Sequence, residues 1–370
     1  MLIRPAIFLV LIPLVANAQS IMSIVNAARV STYIGPGDLG LPTPSMFYSL
    51  RGYSGSYAGP GGNPAVSVRR QSDNVLKDIV ILSNGNLDSA GAAAFAGIDA
   101  TATCSTTGLS VTLACTSASS TPNVGDTLSG TGITQPAYLT ACGAFTAGAG
   151  SCTMNKTQNI GAAETVTFQV GLFIRKAYDQ IQGLKCGSAT CDAVATVNGN
   201  QPLLLLNCLN SGTLPCISGS ISGSPTLGTA NNFTPASGVK TLVVVGLRLT
   251  ANSSTALRVA NGNRITFPSG ATTNAWTLTG AASGAFNATA SDGAAHAGVG
   301  VVNGASSNLY IDNVSTPGTA TGNITAGATT MIGTIAVIQL DEAFVYDNVA
   351  FSSGQVSTLH TNQAAYWGTP

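Results

Sequence analysis

The sequence predicts an all-β fold: a sandwich of two sheets, interrupted by a small β-module that disulfides hold together. Short segments rich in Val, Ile, Leu, Thr and Phe alternate with Gly, Ser, Asn and Thr clusters along almost the whole chain. This is the pattern of strands joined by turns. Hydrophobic residues make up 45% of the 370 residues, so the chain can bury a core. Eight cysteines lie in the middle of the chain, and they mark the interruption.

The N-terminus has the three parts of a secretory signal. Arg4 supplies the positive charge, an apolar run covers residues 6–15, and residues 16–18 read Ala-Asn-Ala, as at a cleavage site. The run is shorter than the ~20 residues of a membrane-spanning helix, and Pro13 weakens the alternative of a buried N-terminal helix. We expect residues 1–18 to be a signal peptide. The mature chain would be secreted, periplasmic or attached to the cell surface, without a membrane span.

The cysteine count and spacing predict four disulfides. An even number of cysteines in an exported chain favours disulfides, and nearest-neighbour pairing is the simplest of the 105 connectivities that eight cysteines allow. The close pairs are Cys104 and Cys115, Cys142 and Cys152, Cys186 and Cys191, and Cys208 and Cys216. A metal site is the alternative, but the chain has no C-x-x-C motif and only two histidines. We therefore predict no metal and no cofactor.

Individual elements follow from local patterns. The clearest strands are predicted at 66–69, 241–249, 274–279, 298–302, 308–311 and 335–346. A hairpin turn is predicted at Asp312-Asn313. Helices are predicted at 21–31 and at Ala-rich 87–95, and the pattern allows a further helical turn at 354–365, where Val356, Leu359 and Gln363 share one face.

Composition separates the segment 98–168 from the rest of the chain. Thr, Ser and Gly surround four cysteines there, and charged residues are few. The texts VGDTLSGTGI and GAGSCTMNKTQ within it resemble a short β-module that recurs in phage tail proteins and bacterial surface proteins. We expect a signal peptide over 1–18, the first part of the sandwich over 19–97, the inserted module over 98–168 and the remainder of the sandwich over 169–370.

The segments on either side of this module carry a second resemblance. Before it the chain reads SLRGYSGSYAGPGGNPAVSVRRQSDN, with an R-x-S-D motif, and after it FIRKAYDQ, in which Tyr178-Asp179-Gln180 match the start of a Y-D-Q-S-G-N-G turn. The C-terminal text IAVIQLDEAFVYDNVAFSSGQ is similar to a closing strand followed by a helix. Together they resemble the catalytic domain of fungal-type α-L-arabinofuranosidases and their bacterial relatives. The resemblance implies a concanavalin-like jelly roll whose concave face or loops bind glycan.

The catalytic motifs of that family are absent from this sequence. The family's nucleophile is a Glu in a D-x-E-N strand and its acid an Asp in a G-G-D-N-S turn, but no acid occurs between Lys240 and Thr289, and Thr334 stands near the second position. A threonine can neither carry negative charge nor protonate a leaving group near pH 7. Hydrolysis by a retaining mechanism then needs another pair of carboxyls ~5 to 5.5 Å apart.

The remaining acids offer two alternative carboxyl pairs, both of which include Glu342. Asp341 and Glu342 are adjacent in a predicted strand, so they point to opposite faces and cannot act together. Glu342 with Asp292 or Asp312 is the catalytic pair that the sequence leaves. Asp179 lies in the remnant of the family's turn, where a structural use is the alternative to ligand binding.

Carbohydrate binding makes smaller demands than hydrolysis. Sugar faces stack on aromatic rings while polar groups bond the hydroxyls, and we select Tyr178, Asp179 and Trp276 as the carbohydrate-binding residues. Further aromatic residues available for stacking are Tyr53, Tyr57, Tyr310 and Trp367.

Charge and motifs exclude other classes of function. Lys and Arg total 14 against 14 Asp and Glu, and charged residues are only 8% of the chain, which gives no electrostatic footprint for nucleic acid. No phosphate-binding G-x-x-x-x-G-K motif occurs. The sequence predicts a secreted arabinofuranosidase-like protein that acts on or binds arabinose-containing polysaccharide. The alternative is a non-catalytic surface adhesin or structural protein, in which the module displays loops to a partner.

Overall fold

The structure is a computed structural model. It describes residues 33–59, 61–183, 185–186, 189–209, 212–219, 225–229, 233, 238–248, 254–259, 262–267, 274–280, 285–290, 294–320, 331–334 and 338–370. The segments 1–18 and 21–31, predicted as signal peptide and helix, lie outside these residues. The predicted fold class is confirmed: the chain forms an antiparallel β-sandwich of the jelly-roll type, with a second, smaller sheet.

The first half of the described chain contains the strands β1 Met46–Ser49, β2 Asn63–Arg70, β3 Leu76–Ile81, β4 Ile98–Ser105, β5 Ser110–Thr116, β6 Thr127–Gly130, β7 Leu139–Cys142, β8 Gly150–Gln158, β9 Glu164–Gln169, β10 Leu172–Ala177 and β11 Ala193–Val194. The second half contains β12 Leu203–Leu209, β13 Leu214–Ser218, β14 Thr226–Thr229, β15 Lys240–Arg248, β16 Ser254–Arg258, β17 Arg264–Phe267, β18 Asn274–Thr279, β19 Ala285–Ala290, β20 His296–Val302, β21 Gly304–Ile311, β22 Val314–Ala320, β23 Met331–Thr334 and β24 Ile338–Asp347. The α-helices are α1 Ser89–Ala96 and α2 Ser353–Trp367, and short 3₁₀ turns cover Pro36–Asp38 and Asn198–Asn200.

Two antiparallel layers form the sandwich. One layer runs β22-β21-β20-β15-β24, with β1 and β13 both paired to β24. The other runs β3-β2-β10-β11-β14-β23-β16-β17-β18-β19, and β12 connects the layers by pairing with β10 and β13. Strands from before and after the cysteine-rich segment thus pair directly, as β1 does with β24 and β2 with β10.

Close packing of the layers depends on glycines in β20. A Cβ atom at Gly298 would lie 2.5 Å from Cζ3 of Trp276, and one at Gly300 would lie 2.6 Å from Cδ1 of Leu278. Both large side chains come from β18 in the opposite layer and are fully buried. The glycines therefore provide the space that these two core side chains fill.

The segment from β4 to β9 forms its own sheet, with the strand order β6-β9-β4-β5-β8-β7. Leu128 N donates to Ala137 O at 3.0 Å and Leu139 N donates to Asp126 O at 2.9 Å. These bonds join β6 to the start of β7, so the sheet closes into a small barrel and its edge strands are paired. The barrel has its own apolar core, whereas the ring of Tyr138 packs into the core of the sandwich.

The structure joins the cysteines in the nearest-neighbour pairs that their spacing predicts. Two disulfides connect adjacent barrel strands, Cys104–Cys115 and Cys142–Cys152, and two lie in the sandwich, Cys186–Cys191 and Cys208–Cys216. Among the described residues no helix has the length and apolar character needed to cross a membrane.

The C-terminal helix α2 is confirmed, with one residue more at its start and two more at its end than predicted. Ser352 Oγ accepts from Gln355 N in a capping box, and Gly368 ends the helix in the left-handed conformation, which glycine adopts readily. Its buried face consists of Val356, Leu359, Gln363 and Trp367. The face predicted from the helical period therefore covers the outer side of the sandwich.

Candidate functional site

Glu342 lies beneath α2 in a fully buried ion pair. Arg51 Nε is 2.6 Å from Oε2 and Arg51 Nη2 is 3.1 Å from Oε1, and both side chains are 0% exposed. Gln363 Nε2 donates to Oε1 at 2.9 Å and Trp367 Nε1 donates to Oε2 at 3.3 Å. Because both carboxylate oxygens are occupied and enclosed, Glu342 holds the helix on the sheet and has no opening toward a substrate.

Asp312 lies in the predicted hairpin turn, which is confirmed. Asp312 and Asn313 have φ values of 48° and 66°, as in a type I′ turn. Asp312 Oδ2 is 2.5 Å from Nδ1 of the buried His296, and Oδ1 accepts from Ala297 N at 3.0 Å. The aspartate thus ties the end of β21 to the start of β20.

The structure does not bring Glu342 and Asp312 together. The Asp312 carboxylate contacts β20, and β15 separates β20 from β24, which places the two strands about 10 Å apart. A retaining glycosidase needs its carboxyls within about 5.5 Å. Asp292 lies outside the described residues.

Trp276 and Tyr178 offer little surface to a sugar. Trp276 is 0% exposed and fills the sandwich core against Gly298, so it is not an exposed stacking surface. Tyr178 is half-buried, and Lys176 Nζ lies 4.7 Å from its ring centroid. One ring face of Tyr178 is therefore covered by an ammonium group.

Two carboxyls do meet in the barrel, where Asp99 lies beside Asp126. Asp126 Oδ2 accepts from Asn123 N at 2.7 Å and Oδ1 accepts from Gly171 N at 3.2 Å. Burial, followed by the hydrogen bond to Asp99, raises the pKa of Asp126 to about 8. Asp126 is fully buried, and through its bond from Gly171 N it anchors the barrel to the beginning of β10.

A polar cleft opens at the end of the sandwich where β2 begins and β10 ends. Its volume is about 310 Å³, at the lower end of the range for small-molecule pockets. The lining residues are Thr43, Tyr53, Ser54, Ser56, Tyr57, Asn63, Gln180, Ile181 and Gln182. All but Ile181 present hydroxyl, phenol or amide groups, and none of these described residues is charged. The cleft therefore has the chemistry to bind an uncharged polyhydroxyl molecule.

Gln180 locks the wall of the cleft to the loop after β1. Its Oε1 accepts from Tyr53 N at 2.7 Å, and its Nε2 donates to Ser49 O and Arg51 O at 2.9 Å each. With both N–H groups and one lone pair of the amide used, the loop that carries the two tyrosines is fixed to the segment after β10.

Asp38 fixes the outer part of the same loop. Its Oδ2 accepts from Gly35 N at 2.9 Å and from Gly55 N at 2.8 Å. The close approach of the chain requires glycine, since a Cβ atom at Gly35 would lie 2.3 Å from Tyr53 O. Gly35 thus allows the segment before β1 to pack directly against the backbone of the loop.

Asp179 lies behind the cleft and is 1% exposed. Its Oδ1 accepts from Phe47 N at 3.0 Å and from Ile181 N at 3.2 Å. Burial raises its pKa to about 6. Asp179 therefore shapes the cleft from within and presents no atom to a ligand.

Most of the cleft was not predicted as a site. Tyr53 and Tyr57 were among the aromatic residues available for stacking, but Asn63, Ser56 and Gln182 carry no local signal. The density of Gly, Ser and Tyr between two strands, in RGYSGSYAGPGGN, is the one feature that indicates a functional loop.

Comparison with known proteins gives a likeness of fold. No family model matches the sequence, and no curated protein matches it. Among solved structures, the chain is similar to a point mutant of GH54 α-L-arabinofuranosidase soaked with 4-nitrophenyl α-L-arabinofuranoside, with a TM-score of 0.52 and 10% identity over 90% of this chain and 66% of that one. It is also similar to the GH54 enzyme soaked with a cyclic sulfate inhibitor, with a TM-score of 0.49 and 10% identity over the same shares of the two chains. The chain thus spans just under two thirds of these enzymes, and at this identity the first of them shows a shared sandwich fold.

Proposed function

We propose that the protein binds uncharged saccharide units of arabinose-containing polysaccharide in the cleft and does not hydrolyse them. The observation that carries this proposal is the lining of the cleft, which combines the partly exposed ring of Tyr53 with hydroxyl and amide groups and has no charged side chain among the described residues. Aromatic rings and neutral hydrogen-bonding groups are sufficient to hold a sugar, whereas glycoside cleavage needs two carboxyls.

The positions of the acids support binding over hydrolysis. Glu342 is enclosed beneath α2, Asp312 is bonded to His296, and Asp99 and Asp126 are bonded to each other. Within the described parts of β15 to β18 no acidic residue occurs. Glu342, Asp312, Asp99 and Asp126 are therefore held in other contacts, and none of the described residues that line the cleft carries a carboxyl group.

The choice of arabinose rests on the likeness of fold. One solved structure similar to this chain is an arabinofuranosidase soaked with an aryl arabinofuranoside, and one scaffold can host different functions, including sugar binding without catalysis. The four disulfides are typical of an oxidising compartment, and so we place the protein outside the cell, where such polysaccharides occur.

Two assays on the purified chain test the proposal. We expect no release of 4-nitrophenol from 4-nitrophenyl α-L-arabinofuranoside, and retardation of the protein in native gels that contain arabinoxylan. Tyr53→Ala should weaken retardation about tenfold, the effect of losing roughly 1.4 kcal/mol of ring contact, while Tyr178→Ala, outside the cleft, should leave it unchanged.

Each other outcome contradicts a stated part of the proposal. Turnover of the aryl arabinofuranoside would show an enzyme. Absence of both turnover and retardation would contradict saccharide binding and would favour the alternative of a surface adhesin. Equal weakening by the two tyrosine variants would place the binding site elsewhere on the sandwich.

A further inference from the structure

We propose that Asp179 is the positioning residue of the cleft, because its ionised carboxylate holds the wall Gln180–Gln182 in the ligand-binding geometry, so that saccharide affinity falls on acidification. This inference rests on the saccharide binding proposed above. It assigns to the protein a dependence on pH that the uncharged lining of the cleft would not by itself produce.

The geometry connects one carboxylate oxygen both to strand β1 and to the cleft wall. Asp179 Oδ1 accepts from Phe47 N in β1 at 3.0 Å and from Ile181 N at 3.2 Å. Ile181 and Gln182 line the cleft, and Gln182 is exposed with a φ of 54°, a left-handed conformation that a non-glycine residue keeps only when its neighbours are held. Loss of the bond to Ile181 N therefore shifts the residues that a ligand would contact.

The second carboxylate oxygen has no such support. Asp179 Oδ2 is buried and has no partner at full hydrogen-bond geometry among the described residues, although the nearby backbone of Cys191 acts to lower the pKa of the carboxyl. An ionised carboxylate accepts hydrogen bonds about twice as strongly as a neutral group. A protonated Asp179 would accept more weakly at Oδ1 and would place a buried O–H where no described partner has been found.

Among the described residues, the other titratable groups near Asp179 are Asp192, Tyr48 and Tyr57, together with Lys176, which pairs with Asp192. Asp192 Oδ1 accepts from Asp179 N at 3.0 Å, and Asp192 Oδ2 is 3.4 Å from Lys176 Nζ. The hydroxyl of Tyr48 donates to Cys191 O, and burial raises the pKa of this phenol well above its usual value. The pKa of Tyr57 is raised in the same way, so both phenols stay neutral across the physiological range, and neither histidine lines the cleft.

The sign of the effect separates binding from stability. Burial raises the pKa of Asp179 from 3.8 to about 6, so its contribution to stability is fully present below pH 4 and is lost as the pH rises through 6. Protonation of Asp179 between pH 7.5 and 5 therefore stabilises the folded chain. It also weakens the hydrogen bonds that the carboxylate accepts from Phe47 N and Ile181 N. A loss of affinity at pH 5 cannot then be attributed to unfolding at Asp179.

Calorimetric titration with an arabinoxylan oligosaccharide tests the inference. Wild-type protein should bind about fivefold more weakly at pH 5.0 than at pH 7.5, the ratio expected when a hydrogen bond to a charged group becomes one to a neutral group. Asp179→Asn should bind with the weaker affinity at both pH values. The charge of Asp192 also raises the pKa of Asp179, so Asp192→Asn, the variant of the neighbouring carboxylate, should keep a pH dependence with its midpoint moved to lower pH.

A measurement without ligand accompanies the titration. In wild-type protein the amide chemical shifts of Phe47 and Ile181 should titrate together with a midpoint near pH 6, and this requires no variant to fold. Amide shifts that stay flat between pH 5 and 7.5, or affinity that is equal at both pH values, would overturn the role of Asp179 and leave saccharide binding intact. Absence of binding at every pH would overturn the proposed function and this inference with it.

Discussion

The sandwich buries one carboxylate beneath α2 and another behind the wall of the cleft, and their surroundings differ. Glu342 faces the guanidinium of Arg51 at 2.6 Å and takes further bonds from Gln363 and Trp367. Asp179 is buried to a similar extent, yet its Oδ1 accepts hydrogen bonds only from the backbone N–H groups of Phe47 and Ile181. The buried charge of Glu342 is thus compensated by a cation, whereas Asp179 has no cation at its carboxylate, and burial raises its pKa to about 6 beside the cleft.

The largest expected effect tests the compensated carboxylate. Arg51→Leu leaves Glu342 buried without its cation, and removal of one partner of a buried ion pair costs about 3–5 kcal/mol. The free energy of unfolding, measured in urea at pH 7, should fall by that amount. A loss below about 1 kcal/mol would show that Glu342 does not depend on Arg51 and would remove the contrast with Asp179.

A smaller effect is expected from Asp126, which extends the comparison to the barrel. Burial and Asp99 raise its pKa from 3.8 to about 8, so its contribution to stability is present below pH 4 and is lost as the pH rises through 8. At pH 9 Asp126→Asn should be more stable than wild type by about 1–3 kcal/mol, and the two should converge at pH 4. Thermal unfolding at both pH values measures this. Parallel pH profiles would contradict the assignment.

The smallest effect is expected at the partly exposed ion pair between Lys176 and Asp192. The side chains are 34% and 18% exposed, and the closest approach is 3.4 Å. Asp192→Asn keeps an acceptor for Asp179 N and removes only the charge. The free energy of unfolding should change by less than about 1 kcal/mol. A change as large as that of Arg51→Leu would show that burial does not determine how much each ion pair contributes to the free energy of unfolding.

The elements that local pattern determines could be predicted from the sequence. The turn at Asp312-Asn313 and the buried face of α2 follow from residue types a few positions apart, and both are present. The strand predicted at 241–249 corresponds to β15, and the helix predicted at 87–95 corresponds to α1. In each case the signal lies within one turn or one period of the chain.

The site could not be predicted in the same way, because its geometry joins distant segments. The sequence around Trp276 does not show whether its ring is exposed. The ring is buried because Gly298, in the opposite layer, leaves the space that it fills. The cleft unites Thr43, the loop after β1 and the segment after β10. The alternation that separates Asp341 from Glu342 does not show that α2 will cover the second of them.

The central claim is that the cleft beside Asp179 holds an uncharged saccharide and leaves it intact. Crystals soaked with an arabinoxylan oligosaccharide test it most directly. We expect electron density for at least one sugar ring between Tyr53 and Gln182, with its glycosidic bond unbroken. Density for a cleaved product, or for a sugar bound only outside the cleft, would contradict the claim.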